Sequence, residues 1–269
     1  MKKLIITAGS GPSYSRWRYW PTWTKLLPLY FNCRHIDVSA PAAGNLYITR
    51  SVIRQLDKVT PDVLLVQWNF GKFDLYVENQ EFIDTVLNSK SIRNFIVDPE
   101  NSKTTTGAGY WCSSNDNTVE WKKYYNEKIK SKTGTDMDDL QNMLTLQNLC
   151  QKKNIYYRFL LHSDIDHESL SNNDNTKSIY KEIDWSLQAT DKSLQTIIKN
   201  HPSAIYNVSA ERESIVPCAD IQWFLLDDII CPILIEKGFK KNKKYLSLES
   251  LCKKFTQENY AKFKNYCNE

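Results

Sequence analysis

The chain has 269 residues, of which 41% are hydrophobic and 12% aromatic, a composition that supplies one sizeable core. The net charge of +4 is too small to indicate nucleic-acid binding, and no segment is long and apolar enough to predict a membrane span. The 7 cysteines form no Cys-x-x-Cys pair, and the first apolar run is too short for a signal peptide. The sequence therefore predicts a cytoplasmic protein with reduced thiols.

Short apolar runs that end at Gly, Pro or polar residues predict five strands. These are Leu4–Ala8, Ile36–Ser39, Val63–Trp68, Asn94–Val97 and Ile155–Leu161. Apolar residues at spacings of three and four predict helices at Trp17–Tyr30, at Tyr47–Leu56, at Phe82–Leu87, from Thr118 onward, at Asp136–Cys150 and at Ile221–Ile235. Strands that alternate with helices predict an α/β fold built on a parallel sheet with right-handed crossovers.

Two polar segments depart from this alternation. The segment from Ser163 to Lys177 is expected to be an exposed loop. After Glu236 the sequence becomes rich in lysine, with a short apolar face further on. We therefore expect residues 1–236 to form one domain and residues 237–269 to form a basic helical tail at the periphery of the sheet.

The loops that follow the strands are where a site is expected, because ligands of open parallel sheets bind beyond the carboxyl ends of the strands. The loop after the first strand contains Ser10 and Ser13. Gly44 follows the second strand and Asn69 follows the third. A serine hydroxyl that attacks, with a glycine N–H and an asparagine amide that hold an oxyanion, are the parts of an acyl-transfer site.

The serine, the glycine and the asparagine follow the first, second and third strands in that order. This arrangement resembles the first three conserved sequence blocks of the SGNH or GDSL-type hydrolases, and the resemblance covers about residues 1–235. The first block of that family is Gly-Asp-Ser, to which Ala8-Gly9-Ser10 and Gly11-Pro12-Ser13 are both similar. Ser10 is favoured as the nucleophile because it lies closer to the strand, and Ser13 is the alternative. Gly44 matches the second block, and Gln67-Trp68-Asn69-Phe70 keeps the Asn of the third block, Gly-x-Asn-Asp.

The resemblance implies an SGNH hydrolase fold: a flavodoxin-like three-layer sandwich with a five-stranded parallel sheet in the order 2-1-3-4-5. It implies hydrolysis of an ester, such as an acyl or acetyl group on a carbohydrate or another small molecule, without a metal or cofactor. The N–H groups of Ser10 and Gly44 would form the oxyanion hole together with the Asn69 amide.

The fourth block of the family, Asp-x-x-His followed by Pro, supplies the base, and two positions compete for it here. His201-Pro202-Ser203 has the His-Pro pair, but Ile198 stands in place of the Asp. Val216-Pro217-Cys218 lies at the expected distance from the last helix, but Val216 replaces the His and Glu213 stands at the acid position. We take His201 as the base and His162, at the end of the fifth strand, as a substitute.

The altered fourth block fits a second hypothesis nearly as well, namely a catalytically inactive protein of SGNH fold that serves as a binding or virion-associated structural module. The segments Trp20-Pro21-Thr22-Trp23, Ala43-Gly44-Asn45 and Pro61 to Trp68 resemble a divergent subgroup associated with viruses of bacteria. Such an origin would place the protein in the host cytoplasm or in a virion.

The remaining aromatic residues and histidines are expected to belong either to the scaffold or to a binding site. Trp17, Tyr19, Trp20 and Trp23 form either the core face of the first helix or a surface beside the serine, joined by Tyr110-Trp111, that stacks on sugar rings. His162 and His167 flank two acids, a spacing that is more typical of a solvated loop than of a metal site. His35 enters the second strand and is expected to be structural.

Overall fold

The computed structural model of the protein describes residues 2–9, 22–40, 43–71, 74–77, 95–97, 110–113, 131–203, 205–209, 212–216, 219–243 and 247–268. In chain order, the strands and helices are β1 (Leu4–Ala8), α1 (Trp23–Phe31), β2 (Arg34–Asp37), α2 (Asn45–Leu56), β3 (Val63–Trp68), β4 (Asp74–Val77), β5 (Phe95–Val97), β6 (Tyr110–Ser113), α3 (Lys132–Lys152), β7 (Tyr156–Leu161), α4 (His167–Asn172), α5 (Lys177–Glu182), α6 (Leu194–Asn200), β8 (Ile205–Ser209), β9 (Arg212–Val216), α7 (Ala219–Phe224), α8 (Cys231–Glu236) and α9 (Leu248–Asn268). A 3-10 turn at Trp185–Leu187 precedes α6, and a π-helical segment at Leu225–Ile230 joins α7 to α8.

Four of the strands form a parallel sheet in the order β2-β1-β3-β7. In the register of this sheet, Ile5 of β1 lies opposite Val63 of β3, and Val63 lies opposite Tyr156 of β7. The α/β class and the parallel sheet predicted from the sequence are therefore confirmed. β1 and β3 have the predicted bounds because every residue of both strands is buried, and a continuous apolar run is the signal of a strand covered on both faces.

Helices pack on both faces of the sheet, so that its buried residues divide into two clusters. Neighbouring strand residues such as Ile5 and Ile6 point to opposite faces and fall into different clusters. The α1-side core includes Ile5, Trp23, Leu27, Leu65, Leu160, Leu194, Trp223, Leu226, Leu248 and Cys252. The α2-side core includes Ile6, Ile48, Val52, Val66, Trp68, Leu140, Met143, Leu146, Phe159 and Ile183.

The predicted fourth strand, Asn94–Val97, does not join the parallel sheet. Its residues Phe95–Val97 form β5, which pairs antiparallel with β6 in a three-stranded sheet of order β4-β6-β5. The predicted five-stranded order 2-1-3-4-5 is therefore not seen, since the described residues place β7 directly beside β3. A run this short carries no signal for a parallel or an antiparallel partner, and its pairing depends on β6, a segment for which the sequence predicts no strand.

Other elements also differ from the predictions. The segment Ser163–Lys177, expected to be a loop, contains α4, because Asp166 caps this helix by accepting a hydrogen bond from Ser169 N at 2.9 Å. The helix predicted at Ile221–Ile235 has a π-helical middle, which precedes Pro232, a residue without the N–H that a regular turn requires. The helices predicted at Phe82–Leu87 and from Thr118 lie outside the described residues.

The C-terminal tail is helical in α9, and this helix is part of the packed structure. Leu248 and Cys252 are buried in the α1-side core. Thr256 Oγ1 donates to Asp220 Oδ1 at 3.1 Å, which ties α9 to the start of α7. The segment before α9 is packed as well, because Phe239 is buried and Asn242 N donates to Tyr30 O at 2.6 Å. The described part of the chain contains no helix with the length and apolar character to cross a membrane.

Replacing Leu248 with Ala should lower the free energy of unfolding by about 2–3 kcal/mol, because the change removes buried methyl groups and leaves a cavity. Leu251, on the same helix, provides the matched control: it is 60% exposed whereas Leu248 is 8% exposed. Urea denaturation of Leu248→Ala and Leu251→Ala should show the loss for the first variant only. Equal effects of the two substitutions would mean that α9 is not packed against the core.

Candidate active site

The carboxyl ends of the parallel strands meet at one edge of the sheet, as hydrogen bonds between the following loops demonstrate. Ala40 N, after β2, donates to Gly9 O, after β1, at 3.0 Å. His162 N, after β7, donates to Trp68 O, at the end of β3, at 2.8 Å. This edge therefore carries the residues that follow all four strands. The two candidate nucleophiles, Ser10 and Ser13, lie outside the described residues; Gly9 is the last described residue before them.

The structure brings Gly44 and Asn69 together at this edge. Gly44 is the N-cap of α2, and its carbonyl accepts a hydrogen bond from Ile48 N at 3.1 Å. The Asn69 amide Nδ2 donates to Ala43 O at 3.0 Å, and Asn69 N donates to Asn45 Oδ1 at 2.8 Å. Asn69 is therefore held against the residues on either side of Gly44.

A buried carboxyl group, that of Asp139 in α3, lies beneath these two loops. Its Oδ1 accepts a hydrogen bond from Asn45 Nδ2 at 2.8 Å, and its Oδ2 accepts one from Gly71 N at 2.8 Å. Burial raises the pKa of Asp139 to about 8, although the hydrogen bonds from Gly71 and Asn45 act in the opposite direction. Gly71 has φ +77, in the left-handed region that glycine adopts without steric cost.

Asp139 was missed in the sequence, although a signal for it exists. The sequence predicts the helix at Asp136–Cys150, with the acids of its first turn as favourable charges near a helix N-terminus. Asp139, however, is four residues before the buried Met143 and therefore lies on the apolar face of the helix, where only 2% of it is exposed. An acid at a core position of an amphipathic helix indicates a specific polar partner.

His162 lies at the same edge as Gly44 and Asn69, because it follows β7 directly. Its Nδ1 is 3.4 Å from Nε2 of Gln67, a β3 residue that is fully buried. The oxygen and nitrogen of a glutamine amide exchange places by a flip, so either atom of Gln67 can face the ring. The ring of His162 is thus oriented by a neutral side chain of the neighbouring strand.

His201 lies further from the edge, at the C-cap of α6. The first turn of α6 is bound to the edge by the hydrogen bond from Gln195 N to His162 O at 2.9 Å. A helix of 7 residues places its far end about 10 Å beyond such a contact. The ring of His201 accepts a hydrogen bond from Ser203 N at 3.2 Å and packs 5.4 Å from the Phe224 ring.

An acid does lie near His201, but not at the position that the sequence pattern predicted. Ile198, at the acid position of the pattern, is buried in the α1-side core. The carboxylates in this region are that of Asp220, which accepts a hydrogen bond from Ser203 Oγ, and that of Asp228, which interacts electrostatically with His201. In the competing register, Glu213 and Val216 belong to β9, whereas Pro217 and Cys218 lie outside the described residues.

The other two histidines contact residues of the scaffold. His35 Nε2 is 2.8 Å from Thr7 Oγ1, in the pair of strands β1 and β2, and burial lowers the pKa of His35 while Asp37 opposes that change. His167 Nδ1 is 2.9 Å from the Tyr180 hydroxyl, and its ring packs 4.9 Å from that of Trp185. Across the described ranges, no group of three His, Cys, Asp or Glu residues is arranged to hold a metal ion.

A cleft of about 510 Å³ begins at Ser163, the residue after His162, but His162, Gly44 and Asn69 are not among its lining residues. Its walls come from the turn after β3, the first turns of α3 and the loop between β7 and α4. The lining residues are Phe70, Gly71, Lys132, Thr135, Asp136, Ser163, Asp164, Ile165, Asp166 and Leu170. Hydrogen bonds from Thr196 and Ser193 lower the pKa of Asp164, so that this carboxylate stays charged near neutral pH. The cleft therefore offers carboxylate acceptors and one aromatic ring.

The predicted aromatic surface falls only in part on the described residues. Trp23, the first residue of α1, is buried in the α1-side core, which agrees with the interpretation of this residue as a core residue. Trp17, Tyr19 and Trp20 lie outside the described residues. Tyr110 and Trp111 belong to β6, in the antiparallel sheet.

Comparison of the chain with protein-family models, with curated proteins and with solved structures finds no match in any of the three. The function of the chain must therefore be inferred from the residues at the carboxyl edge of the sheet.

Proposed function

We propose that the protein is an SGNH-like serine hydrolase that cleaves an ester at the carboxyl edge of its four-stranded sheet. Ser10 is the nucleophile, Gly44 and Asn69 supply donors to the oxyanion, and His162 is the base. The observation that carries this proposal is the convergence of Gly44, Asn69 and His162 at the edge of the sheet where β1 ends. Within this proposal, the finer fold is that of the SGNH hydrolases, with a sheet that is reduced at the position of the fourth strand.

The proposed chemistry begins with the Ser10 hydroxyl, which is a poor nucleophile until a base takes its proton. His162 Nε2 accepts this proton as the serine oxygen attacks the ester carbonyl. The carbonyl oxygen becomes an oxyanion, which the N–H of Gly44 and the amide of Asn69 stabilise. The imidazolium then gives its proton to the leaving alcohol, and water releases the acyl group by the same steps in reverse.

His162 acts as a base only if its proton is on Nδ1, so that Nε2 carries the lone pair. This tautomer requires Gln67 to present its oxygen to Nδ1, which is 3.4 Å from the Gln67 amide. A neutral amide orients the ring but does not stabilise the imidazolium as a carboxylate does. We therefore expect slow turnover compared with enzymes that have a complete triad.

His162 replaces His201 as our choice of base because of their positions. His162 directly follows β7 and bonds to the residue before Asn69. His201 lies at the far end of α6, and its described contacts are with Ser203 and Phe224. A base must lie within hydrogen-bond reach of the hydroxyl, so the residue at the edge is the better candidate.

The cleft that begins at Ser163 suits a substrate with several hydroxyl groups. Asp136, Asp164 and Asp166 already bind Lys132, Thr196 and Ser169, but each carboxylate keeps lone pairs that can accept from hydroxyls. The Phe70 ring offers a face for a sugar ring. Three carboxylates against one amine, that of Lys132, disfavour an anionic substrate. An acylated or acetylated carbohydrate has several hydroxyl groups and no negative charge, and it therefore fits the cleft on both counts.

A second function, that of a non-catalytic binding module of the same fold, is favoured by one observation. Ile198, which stands where the fourth block of the family has its Asp, is buried in the α1-side core. A protein that binds a carbohydrate without cleaving it needs no acid at that position.

The experiment that decides between the two functions is labelling with a fluorophosphonate probe, which reacts only with an activated serine. We expect the wild-type protein to be labelled, Ser10→Ala to lose the label and Ser13→Ala to keep it, because Ser10 is the serine closer to β1. Intact-protein mass spectrometry measures the adduct. Circular dichroism of each variant controls for loss of folding.

Loss of the label in Ser13→Ala alone would move the nucleophile to Ser13. A folded wild-type protein that is not labelled and does not cleave nitrophenyl acetate would exclude the hydrolase and leave the binding module.

A further inference from the structure

We infer that Asp139 is a positioning residue that holds the two donor loops of the site, the one at Gly44 and the one at Asn69, in a fixed relation to each other. Its role in catalysis rests on the proposed function, but its role in holding the loops does not. Asp139 touches neither the cleft nor the proposed reacting atoms and acts through Asn45 and Gly71.

The carboxyl group of Asp139 connects two segments that are distant in the chain. One oxygen binds the side chain of Asn45, the first residue of α2, and the other binds the backbone N–H of Gly71, after β3, each at 2.8 Å. Asn45 also binds the second loop, because its Oδ1 accepts a hydrogen bond from Asn69 N at 2.8 Å. These three hydrogen bonds and the backbone from Asn69 to Gly71 form a closed ring.

The chemistry of the ring explains why the residue is an aspartate. Both Asp139 oxygens accept from N–H donors. A carboxyl group is the short side chain in which both oxygens can accept, even when one carries a proton, because the O–H oxygen keeps a lone pair. Burial of such a polar group is costly, and an apolar residue of similar size would pack in α3 without that cost. The retained carboxyl group therefore indicates a role in orienting the loops rather than in the stability of the core.

A swap of two side chains tests this role directly. Asp139→Asn keeps the shape but turns one acceptor into an NH₂ donor, so one of the two bonds is lost and two donors face each other. Adding Asn45→Asp restores the complete ring, because the carboxylate introduced at position 45 accepts from the new amide at position 139 and from Asn69 N. The added charge lies in the first turn of α2, where the helix dipole favours it.

We expect Asp139→Asn to slow fluorophosphonate labelling of the serine by about 10- to 100-fold, the cost of misplacing donor groups by roughly 1 Å. The double variant Asp139→Asn with Asn45→Asp should return to near the wild-type rate. Hydrogen exchange of the Gly71 and Asn69 amides, followed by NMR, should accelerate in the single variant and recover in the double variant.

The exchange measurement separates this inference from the proposed function. If the wild-type protein is not labelled, the hydrolase is excluded, and the amides of Gly71 and Asn69 alone decide whether Asp139 holds the loops. Unchanged exchange in Asp139→Asn, or a double variant that recovers neither exchange nor folding, would overturn the positioning role.

Discussion

Replacing His162 with Ala is expected to lower kcat/KM for an activated ester by about three orders of magnitude, because a serine without its base loses most of its reactivity. Replacing His201 with Ala should change kcat/KM little. Both variants remove an imidazole. His162 lies at the edge of the sheet, whereas His201 lies at the far end of α6 and packs against Phe224. Hydrolysis of nitrophenyl acetate by each purified variant measures the difference.

The His201→Ala variant also tests the pattern His-Pro, on which the sequence interpretation depended. A large loss of activity in His201→Ala with normal activity in His162→Ala would show that His201 is the base. Ser203, which hydrogen-bonds to both His201 and Asp220, would then connect the base to an acid. Melting temperatures of both variants show whether a loss of activity comes from unfolding.

The stability of the wild-type protein should fall as the pH rises from about 4 to about 8, owing to the buried Asp139. Burial raises the pKa of this carboxyl to about 8 in the folded protein, whereas in the unfolded chain it is about 4. Between these values the folded state keeps a proton that the unfolded state releases, so each increase in pH favours unfolding. The contribution of this group is complete below pH 4 and is lost as the pH passes through 8.

The slope expected from this single group is at most about 1.4 kcal/mol for each pH unit. Urea denaturation of the wild type and of Asp139→Asn at pH values of about 5, 6, 7 and 8 measures the contribution of Asp139 to the pH dependence of stability. All other titrating groups are common to the two proteins and cancel in the difference. We expect the stability difference between wild type and variant to be largest at the lowest of these pH values and to shrink as the pH rises. Parallel curves would show that Asp139 is ionised throughout this range.

The sequence predicted the strands whose signal is local. β1 and β3 were predicted residue for residue, because each is a continuous apolar run buried on both faces. β2 begins at Arg34, two residues before its predicted start, because this strand lies at the edge of the sheet and tolerates polar residues. β5 was assigned to the wrong sheet, since its partner β6 is distant in the chain and no local pattern specifies it.

The candidate site was predictable only where a residue lies in the loop that follows a parallel strand. Gly44 and Asn69 came together as expected, because parallel strands bring their carboxyl ends to one edge. Asp139 forms tertiary hydrogen bonds with α2 and the turn after β3, and chain spacing does not encode these contacts. The His-Pro pair predicts His201 as the base, but the pair does not specify where α6 places His201.

The division of the core into two clusters has a consequence for biosynthesis. The buried members of the α2-side core end at Ile183, whereas those of the α1-side core extend to Cys252. Chains grow from the N-terminus at about 5–20 residues per second, so one face of the sheet can be covered several seconds before the other. During that interval α1 alone is present to cover the second face of β1, β3 and β7, and the apolar surface that remains exposed there favours chaperone binding or aggregation.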